Sequence, residues 1–382
     1  MIPIAAGCYF VGMSVPPKRL VMTVINDLAG DQRMHRIASS LQEAGYQVCV
    51  VGRQYRDSPR LPQRPYQIYR MRLWLRRGKW FYLEYSIRLF FFLLRKKIDL
   101  INANDLDTLL AGFLVSRWKK IPLIYDSHEY FTEVPELVHR PRTQNIWLRL
   151  ERWIFPQLTS VYTVNQTLAS IYTSLYSVPV QVVRNVPFRR EVARQLANYP
   201  ILIYQGALNV GRGIELMIQA MRHLPGYKLW IIGRGDIESQ LRSQAQDLGL
   251  EDQVIFRGFV PLEQLATLTA QARLGFSLEE DLGANYRYSS PNKIYDYIQA
   301  GVPILVSDLP EMRNIVDTYQ VGQCLSNDQR QAELLAAQVH RMLSDQAQYE
   351  GYVAKCSLAA QELNWEQEQE TVLNIYQKVL NT

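Results

Sequence analysis

The 382-residue chain is poor in several features that would narrow its class at once. Its four cysteines, Cys8, Cys49, Cys324 and Cys356, are scattered without C-x2-C spacing or a companion histidine pattern, which excludes a zinc ribbon and a disulfide framework and points to a reducing cytosol. There is no long apolar run. The uncharged stretch from Ile4 to Val15 is too short to span a bilayer and lacks the basic residues that precede a signal sequence, so residues 1–18 are expected to be a disordered or mis-annotated start. No internal repeat is visible, which leaves distinct domains rather than an array. At this length one hydrophobic core is exceeded, and a composition of 48% hydrophobic and 20% charged residues makes two globular domains the expectation.

Charge is concentrated rather than spread. The net charge is +6, yet the segment from Arg70 to Lys97 holds nine Lys or Arg against the single acid Glu84, so the remainder of the chain is slightly acidic. Trp74, Trp80, Phe81, Tyr82, Tyr85 and the run Leu89 to Leu94 stand between those cations. A basic, aromatic, amphipathic stretch of this kind lies on anionic lipid; the competing reading is a core-packing helix with solvated flanks. Nucleic acid is not expected, because no known reading module accompanies the patch.

Short β-branched runs alternate with segments of helical period, the pattern of parallel sheets covered by helices. Leu20 to Ile25 reads as a buried strand, and Met34, Ile37, Ala38 and Leu41 form the apolar stripe of a helix ending at Gly45. Further strands are predicted at Val48 to Val51, Asp99 to Asn102, Leu123 to Tyr125 and Ser160 to Val164. A charged, proline-flanked connector from Asn185 to Pro200 separates a second series, with strands at Ile201 to Gln205, Lys228 to Ile232, Gln253 to Phe256, Leu274 to Ser277 and Pro303 to Val306. The expected organisation is one doubly wound α/β domain over 19–187, another over 188–362, and a helix in 363–382 long enough to cross back onto the first.

Directly after the strand Ile201 to Gln205 comes Gly206-Ala-Leu-Asn-Val-Gly211-Arg212-Gly213, then a helical stretch from Ile214. Glycines let backbone approach a ligand, and the unpaired N–H groups of a helix start favour a phosphate, with Arg212 adding a fixed cation. The same strand, glycine loop and helix is also an ordinary α/β joint. A second cluster adds weight: Ser290 is placed as N-cap and Pro291 at the first position of a helix that continues through Asn292, Lys293 and Asp296 to Gly301. Lys293 then lies beside the positive helix end, which is unfavourable unless an anion arrives. Asp296 is one turn on, on the same face as Asn292 and Lys293.

In the Gly206 to Gly213 loop, the run Ser290-Pro-Asn-Lys-Ile-Tyr-Asp-Tyr-Ile-Gln-Ala-Gly-Val-Pro303, and the earlier Tyr125-Asp126-Ser127-His128-Glu129, the chain resembles family 4 of the retaining glycosyltransferases, over residues 19–380. The resemblance implies the GT-B fold, with two facing Rossmann-like domains and a cleft between them. It implies that Arg212 and Lys293 hold the pyrophosphate of a nucleotide-sugar donor, with Asn292 and the loop of Gly206, Gly211 and Gly213 beside them. Asp296 would bind the ribose and the backbone at Phe256 and Gly258 would face the base. His128 would reach toward the transferred sugar, and Gly30, Asp31 and Arg33 would lie nearest the acceptor; read from the residues alone, Asp31 is equally a helix cap and Arg33 a solvated helix charge. One departure stands out. The family often shows two Glu eight positions apart, but Tyr288 stands eight before Asp296. Either Glu279 or Glu280 takes that place, with Glu280 carried as the catalytic candidate.

Two preplaced cations at a helix start would stabilise a departing nucleoside diphosphate without a metal. Asp105-Leu-Asp107 has metal-binding spacing but opens a helix in the first domain, away from the donor cluster. The expectation is therefore transfer from a UDP-, GDP- or ADP-sugar to a glycan or lipid-linked acceptor, with retention implied by the family and with no metal or other cofactor. The expected location is the cytoplasm, including its membrane surface. A nucleotide-sugar epimerase of the same fold and a silent scaffold of a polysaccharide-assembly complex are the alternatives.

Overall fold

A computed structural model describes residues 16–75, 78–190 and 192–381. Seven parallel strands form the first sheet: β1 (Arg19–Thr23), β2 (Gln47–Gln54), β3 (Gln67–Arg72), β4 (Leu100–Asn104), β5 (Leu123–Ser127), β6 (Val161–Thr163) and β7 (Val180–Val182), in the order 3-2-1-4-5-6-7. Six more form the second: β8 (Ile201–Gln205), β9 (Lys228–Ile232), β10 (Val254–Gly258), β11 (Leu274–Ser277), β12 (Ile304–Ser307) and β13 (Gly322–Leu325), in the order 10-9-8-11-12-13. These are two Rossmann-like sheets. The inner strands are continuous apolar runs because helices cover both faces; all five residues of β8 are buried.

In each sheet the order reverses once, between β1 and β4 and between β8 and β11. Chain leaving adjacent strands at such a point diverges to opposite faces, so a crevice opens at the carboxyl edge. The helix Trp365–Leu380 leaves the second domain and buries Trp365, Val372, Ile375 and Tyr376 in the same cluster as Met34, Ile37, Ala38 and Leu41 of the first. Asn364 caps it by accepting from the Gln367 N–H (3.1 Å), and the Trp365 indole donates to Ser40 Oγ (2.9 Å).

Three strands have no counterpart among those predicted: β3, β7 and β13. All three are sheet edges. An edge strand is half exposed, so its apolar signal is weak and a turn-rich neighbourhood hides it. The basic segment from Arg70 to Lys97 is likewise not one stretch. Its start completes β3, and the helix Lys79–Arg95 follows. Arg76 and Arg77 lie outside the described residues, as do residues 1–15 of the expected disordered start. The helix serves both readings of the segment: Phe81, Tyr85, Leu89 and Leu93 are core, while Trp80, Leu83, Ile87 and Phe91 are exposed on the other side. Among the described residues no helix is long and apolar enough to cross a membrane.

Candidate active site

The carboxyl ends of β8 and β11 meet the start of the helix Asn292–Gln299, and three charges converge there. Lys293 Nζ lies 2.5 Å from Glu279 Oε1, Arg212 Nη1 lies 3.6 Å from the same oxygen, and Ser277 Oγ donates to Glu279 Oε2 at 2.7 Å. Glu279 is fully buried and Lys293 nearly so. Burial alone would raise the Glu279 carboxyl, but Lys293, Ser277 and Arg212 outweigh it and hold the group below the ordinary carboxylate range. Burial lowers the Lys293 ammonium, with Glu279 opposing. Lys293 Nζ also stands 4.5 Å over the Tyr204 ring, and the Arg212 guanidinium 5.2 Å over Tyr286.

This geometry revises the sequence reading in three respects. The helix begins one residue later than expected, with Pro291 in the cap position and no side-chain cap from Ser290. The cation at its start already has an anion, Glu279, so its place does not by itself demand a ligand. Glu279 and Glu280 also divide: Glu279 turns inward to the cations, whereas Glu280 is half-exposed, donates its N–H to the Gly211 carbonyl (2.8 Å) and lies 4.0 Å from Arg330. Glu280, carried as the catalytic candidate, is therefore outside the cationic cluster, at its rim.

The glycines owe their small size to packing. A Cβ at Gly213 would stand 2.2 Å from the Leu278 carbonyl oxygen and one at Gly211 2.3 Å from the Leu282 side chain, while at Gly206 a φ of +142° sets the requirement and a Cβ would touch Lys293 and Tyr204 only at 3.4 Å. Gly233, which no sequence motif singled out, is the tightest of this set: with φ of +142° and a Cβ position 1.8 Å from the Gly206 oxygen, no other residue fits. Its N–H donates to the Gly258 carbonyl at 2.9 Å, which lines up Gly206, Gly233 and Gly258 across the ends of β8, β9 and β10. The Phe256 side chain packs into the core beneath Arg242 rather than into the cleft.

Asn292 is exposed at the helix start. Asp296 accepts from Gln205 Nε2 (3.1 Å), and burial raises its carboxyl to about 6, partly offset by Arg190 and Arg36. Although near Lys293 in sequence, it shares no partner with it.

In the first domain His128 follows β5, and its Nδ1 lies 3.0 Å from Asp105 Oδ2, an ion-pair distance without hydrogen-bond alignment. Asp105 sits at the end of β4 with φ of +56°, a strained conformation for a residue with a Cβ. Burial, together with Glu129 and Asp126, raises its carboxyl to about 7 against the pull of His128. Burial works against charge on His128, but Asp105, Asp126 and Glu129 prevail and its pKa is raised. In the sequence Asp105 carries no signal beyond its spacing to Asp107; the partner that matters is 23 residues away.

Arg33 is buried and is not a solvated helix charge. It is buried in a bidentate pair with Asp126 (2.8 and 2.9 Å) and donates to the Val183 carbonyl, because helix Gln32–Glu43 lays this residue against the end of β5. Asp31 is the cap of that helix, accepting from the Met34 N–H at 2.9 Å. Gly30 is exposed with open space beside it.

Several hydrogen bonds join the two edges, and the Thr167 N–H, for one, donates to Glu311 Oε1 at 3.0 Å. Asn285 Oδ1 accepts from the Tyr130 N–H (3.1 Å), and Asn165 Nδ2 donates to the Tyr288 carbonyl (2.8 Å). Tyr288, where the family often has its first Glu, is thus a bridge between domains. His128 lies two residues from Tyr130, and Asn285 adjoins Tyr286 beneath Arg212, so both lie close in the chain to this contact between the domains.

Two parallel-sheet domains facing at their carboxyl edges, with fixed cations at one edge and a histidine at the other, define a GT-B protein of the glycosyltransferase class. The profile described as Glycosyl transferases group 1 matches residues 187–360, and that described as Glycosyltransferase Family 4 matches residues 31–187. The chain belongs to the family 4 glycosyltransferases. It is 25% identical over 254 residues to an uncharacterised glycosyltransferase of Methanocaldococcus jannaschii, a match covering 58% of this chain and 60% of that one. The chain thus spans less than two thirds of that curated relative. Sucrose-phosphate synthase from Thermosynechococcus elongatus has the same fold, with a TM-score of 0.79 at 17% identity over 95% of this chain and 99% of its own. Anabaena HepE, solved in complex with UDP and glucose, superposes with a TM-score of 0.73 at 15% identity over 94% of this chain and 99% of its own.

Proposed function

We propose that the protein transfers a sugar from a nucleoside diphosphate sugar to an acceptor held by the first domain, retaining the anomeric configuration and needing no metal. The observation that carries this reading is the Arg212–Glu279–Lys293 cluster at the β8/β11 crevice, opposite His128 and Asp105. Pyrophosphate oxygens would join Arg212 and Lys293 as further partners, and the charge of the leaving diphosphate would meet cations that Glu279 has already oriented, so little reorganisation remains for the transition state. His128, its proton favoured by Asp105, would donate to a hydroxyl of the transferred sugar. Arg212 and Lys293 would do the work of a divalent ion, and attack from the face of the departing diphosphate fits the lack of an assignable nucleophilic carboxylate.

A UDP-sugar is the first donor to try, because a protein of the same fold was solved with UDP and glucose. The acceptor is best read as lipid-linked: the exposed strip of Trp80, Leu83, Ile87 and Phe91 runs beside Arg88, Arg95, Lys96 and Lys97, a surface suited to peripheral attachment at an anionic membrane, where each cation contributes roughly 1 kcal/mol. Attachment should show as pelleting with anionic but not neutral vesicles.

The test of the transfer reading is a thermal-shift panel of UDP-, GDP- and ADP-sugars followed by donor hydrolysis with and without EDTA. One nucleotide should shift the melting temperature, and slow hydrolysis to the retained sugar should survive chelation. A new sugar nucleotide, or no binding at all, would overturn the assignment; loss of activity restored by magnesium would overturn metal independence alone.

A further inference from the structure

The first domain has a second cavity at the carboxyl edge of its sheet, away from His128. A groove of about 450 Å³ opens where β2 and β3 end, lined among others by Arg53, Arg56, Arg72, Tyr55, Leu75 and one acid, Asp57. It adjoins the loop after β1, since the Arg53 N–H donates to the Asn26 carbonyl at 2.8 Å. The Arg53 guanidinium is stacked between Tyr55 and Phe81, at 3.7 and 4.2 Å from their ring centres. Arg72 is held by the neutral Gln54, Nε to Oε1 at 2.9 Å. Neither is thereby neutralised. A guanidinium fixed in orientation by rings and amides rather than by a carboxylate keeps its fork of donors for an incoming anion, and the fork matches phosphate oxygens best.

What adjoins the groove is equally specific. Phe81, which closes one side of the Arg53 stack, belongs to the helix Lys79–Arg95, and from this end run the exposed side chains of Trp80, Leu83, Ile87 and Phe91, with Trp74 86% exposed beside them under the Arg88 guanidinium. The strip from Trp80 to Phe91 is about 16 Å long at 1.5 Å per residue. A cationic pocket at the head of an apolar strip fits an amphiphile with an anionic head. The strand order 2-1-4-5 then puts β1 and β4 between the groove and His128, roughly 14 Å at the usual strand spacing, which leaves room for a sugar between the phosphate and the reacting centre.

We infer that the Arg53–Arg56–Arg72 groove binds the phosphate or diphosphate of an acceptor whose hydrocarbon chain lies along the Trp80–Phe91 strip. The assignment rests on the transferase reading for its purpose, but not for its test. The protein is first saturated with the nucleoside diphosphate found in the donor panel, so that the donor site is closed to anions. Tryptophan fluorescence is then titrated below micelle formation with decyl pyrophosphate, with neutral decyl maltoside and with inorganic pyrophosphate. Decyl pyrophosphate should bind about tenfold more tightly than either of the others, each of which lacks one half of the recognition. Arg53→Gln/Arg72→Gln should remove that advantage and leave nucleotide affinity unchanged. Arg56→Gln/Arg72→Gln, at exposed positions outside the aromatic stack, should weaken binding in the same direction without unfolding. Equal binding of the neutral and phosphorylated amphiphiles, or no change in either double variant, would overturn the site; inorganic pyrophosphate binding as tightly as the amphiphile would overturn the role of the strip. If no nucleotide binds at the outset, the transferase reading fails separately, and the same titrations on the unliganded protein test the groove through the two double variants.

Discussion

The cationic cluster at the β8/β11 crevice and the groove at the ends of β2 and β3 handle charge in opposite ways. On the second domain Lys293 and Arg212 are already partnered by the buried Glu279, and Leu278 and Leu282 fill the space beside Gly213 and Gly211. On the first domain Arg53 and Arg72 rest on rings and an amide, and four tryptophans, Trp74, Trp80, Trp118 and Trp153, stand exposed. The difference has a physical basis. A cation kept out of water before its ligand arrives needs an internal counter-ion, because an isolated buried charge costs several kcal/mol. A surface that meets a partner from solution can leave its cations hydrated and its apolar groups uncovered.

The strongest test of this contrast removes the counter-ion arrangement. Lys293→Ala leaves Glu279 buried beside only the more distant Arg212, so it should cost about 3–5 kcal/mol of stability as well as about a hundredfold in turnover. Lys293→Ala/Glu279→Gln should recover most of the stability and none of the turnover. Equal stability of single and double variants in denaturant melts would show that Glu279 is not the internal partner. Arg212→Ala, half-exposed and farther from the carboxylate, should lower turnover on the same scale with a much smaller loss of stability.

The first domain supplies a matched opposite to Glu279. Glu151 is buried with the Tyr176 hydroxyl, and burial raises its carboxyl to about 7 against the pull of that hydroxyl and of Arg152. Because its folded pKa lies above the unfolded value, its contribution to stability is full at low pH and is lost as pH rises through about 7. Glu279, held low, behaves inversely: its contribution is present above the ordinary carboxylate range and is lost on acidification. Glu151→Gln should therefore flatten the decline between pH 5 and pH 8 by up to about 3 kcal/mol. Parallel pH profiles for variant and wild type would remove the contrast.

At the histidine the expected effect is on turnover rather than on stability. His128→Ala should lower turnover by about a hundredfold. Asp105→Asn, acting only through His128, should move the pH profile instead: without the carboxylate that raises it, the histidine loses its proton at lower pH, so activity that depends on the protonated form should fall off earlier. An unshifted profile would deny Asp105 that positioning role. The smallest effect should be Asp296→Asn, which would weaken nucleotide affinity by about tenfold if the ribose reaches this carboxylate. Unchanged affinity would confine Asp296 to its bond with Gln205.

The inner strands, the helix Gln32–Glu43 and the helix Trp365–Leu380 were legible because each carries its own apolar period, and a buried parallel strand reads as an unbroken apolar run. Edge strands β3, β7 and β13 were not, since each is short or interrupted by polar residues and none is an unbroken buried apolar run. At the site, the glycine loop and the helix at Lys293 stood out by residue type. The pairing of Arg33 with Asp126 did not: Arg33 reads as a surface charge on a polar helix start, and only the packing of that helix on β5 shows its partner 93 residues away.

Local order along the chain therefore sets which residues can be strand, helix, cap or glycine turn, and it placed His128 at the end of a strand, Arg212 in a glycine loop and Lys293 at a helix start. It does not set which ends adjoin. The strand orders 3-2-1-4-5-6-7 and 10-9-8-11-12-13 put β4 beside β5 and β8 beside β11, which brings Asp105 to His128 and Arg212 to Glu279, while the packing of helices on the sheets brings Lys293 to Glu279 and Phe81 to Arg53. Contacts of this kind depend on burial and distance between elements far apart in the chain, quantities that no residue's neighbours encode.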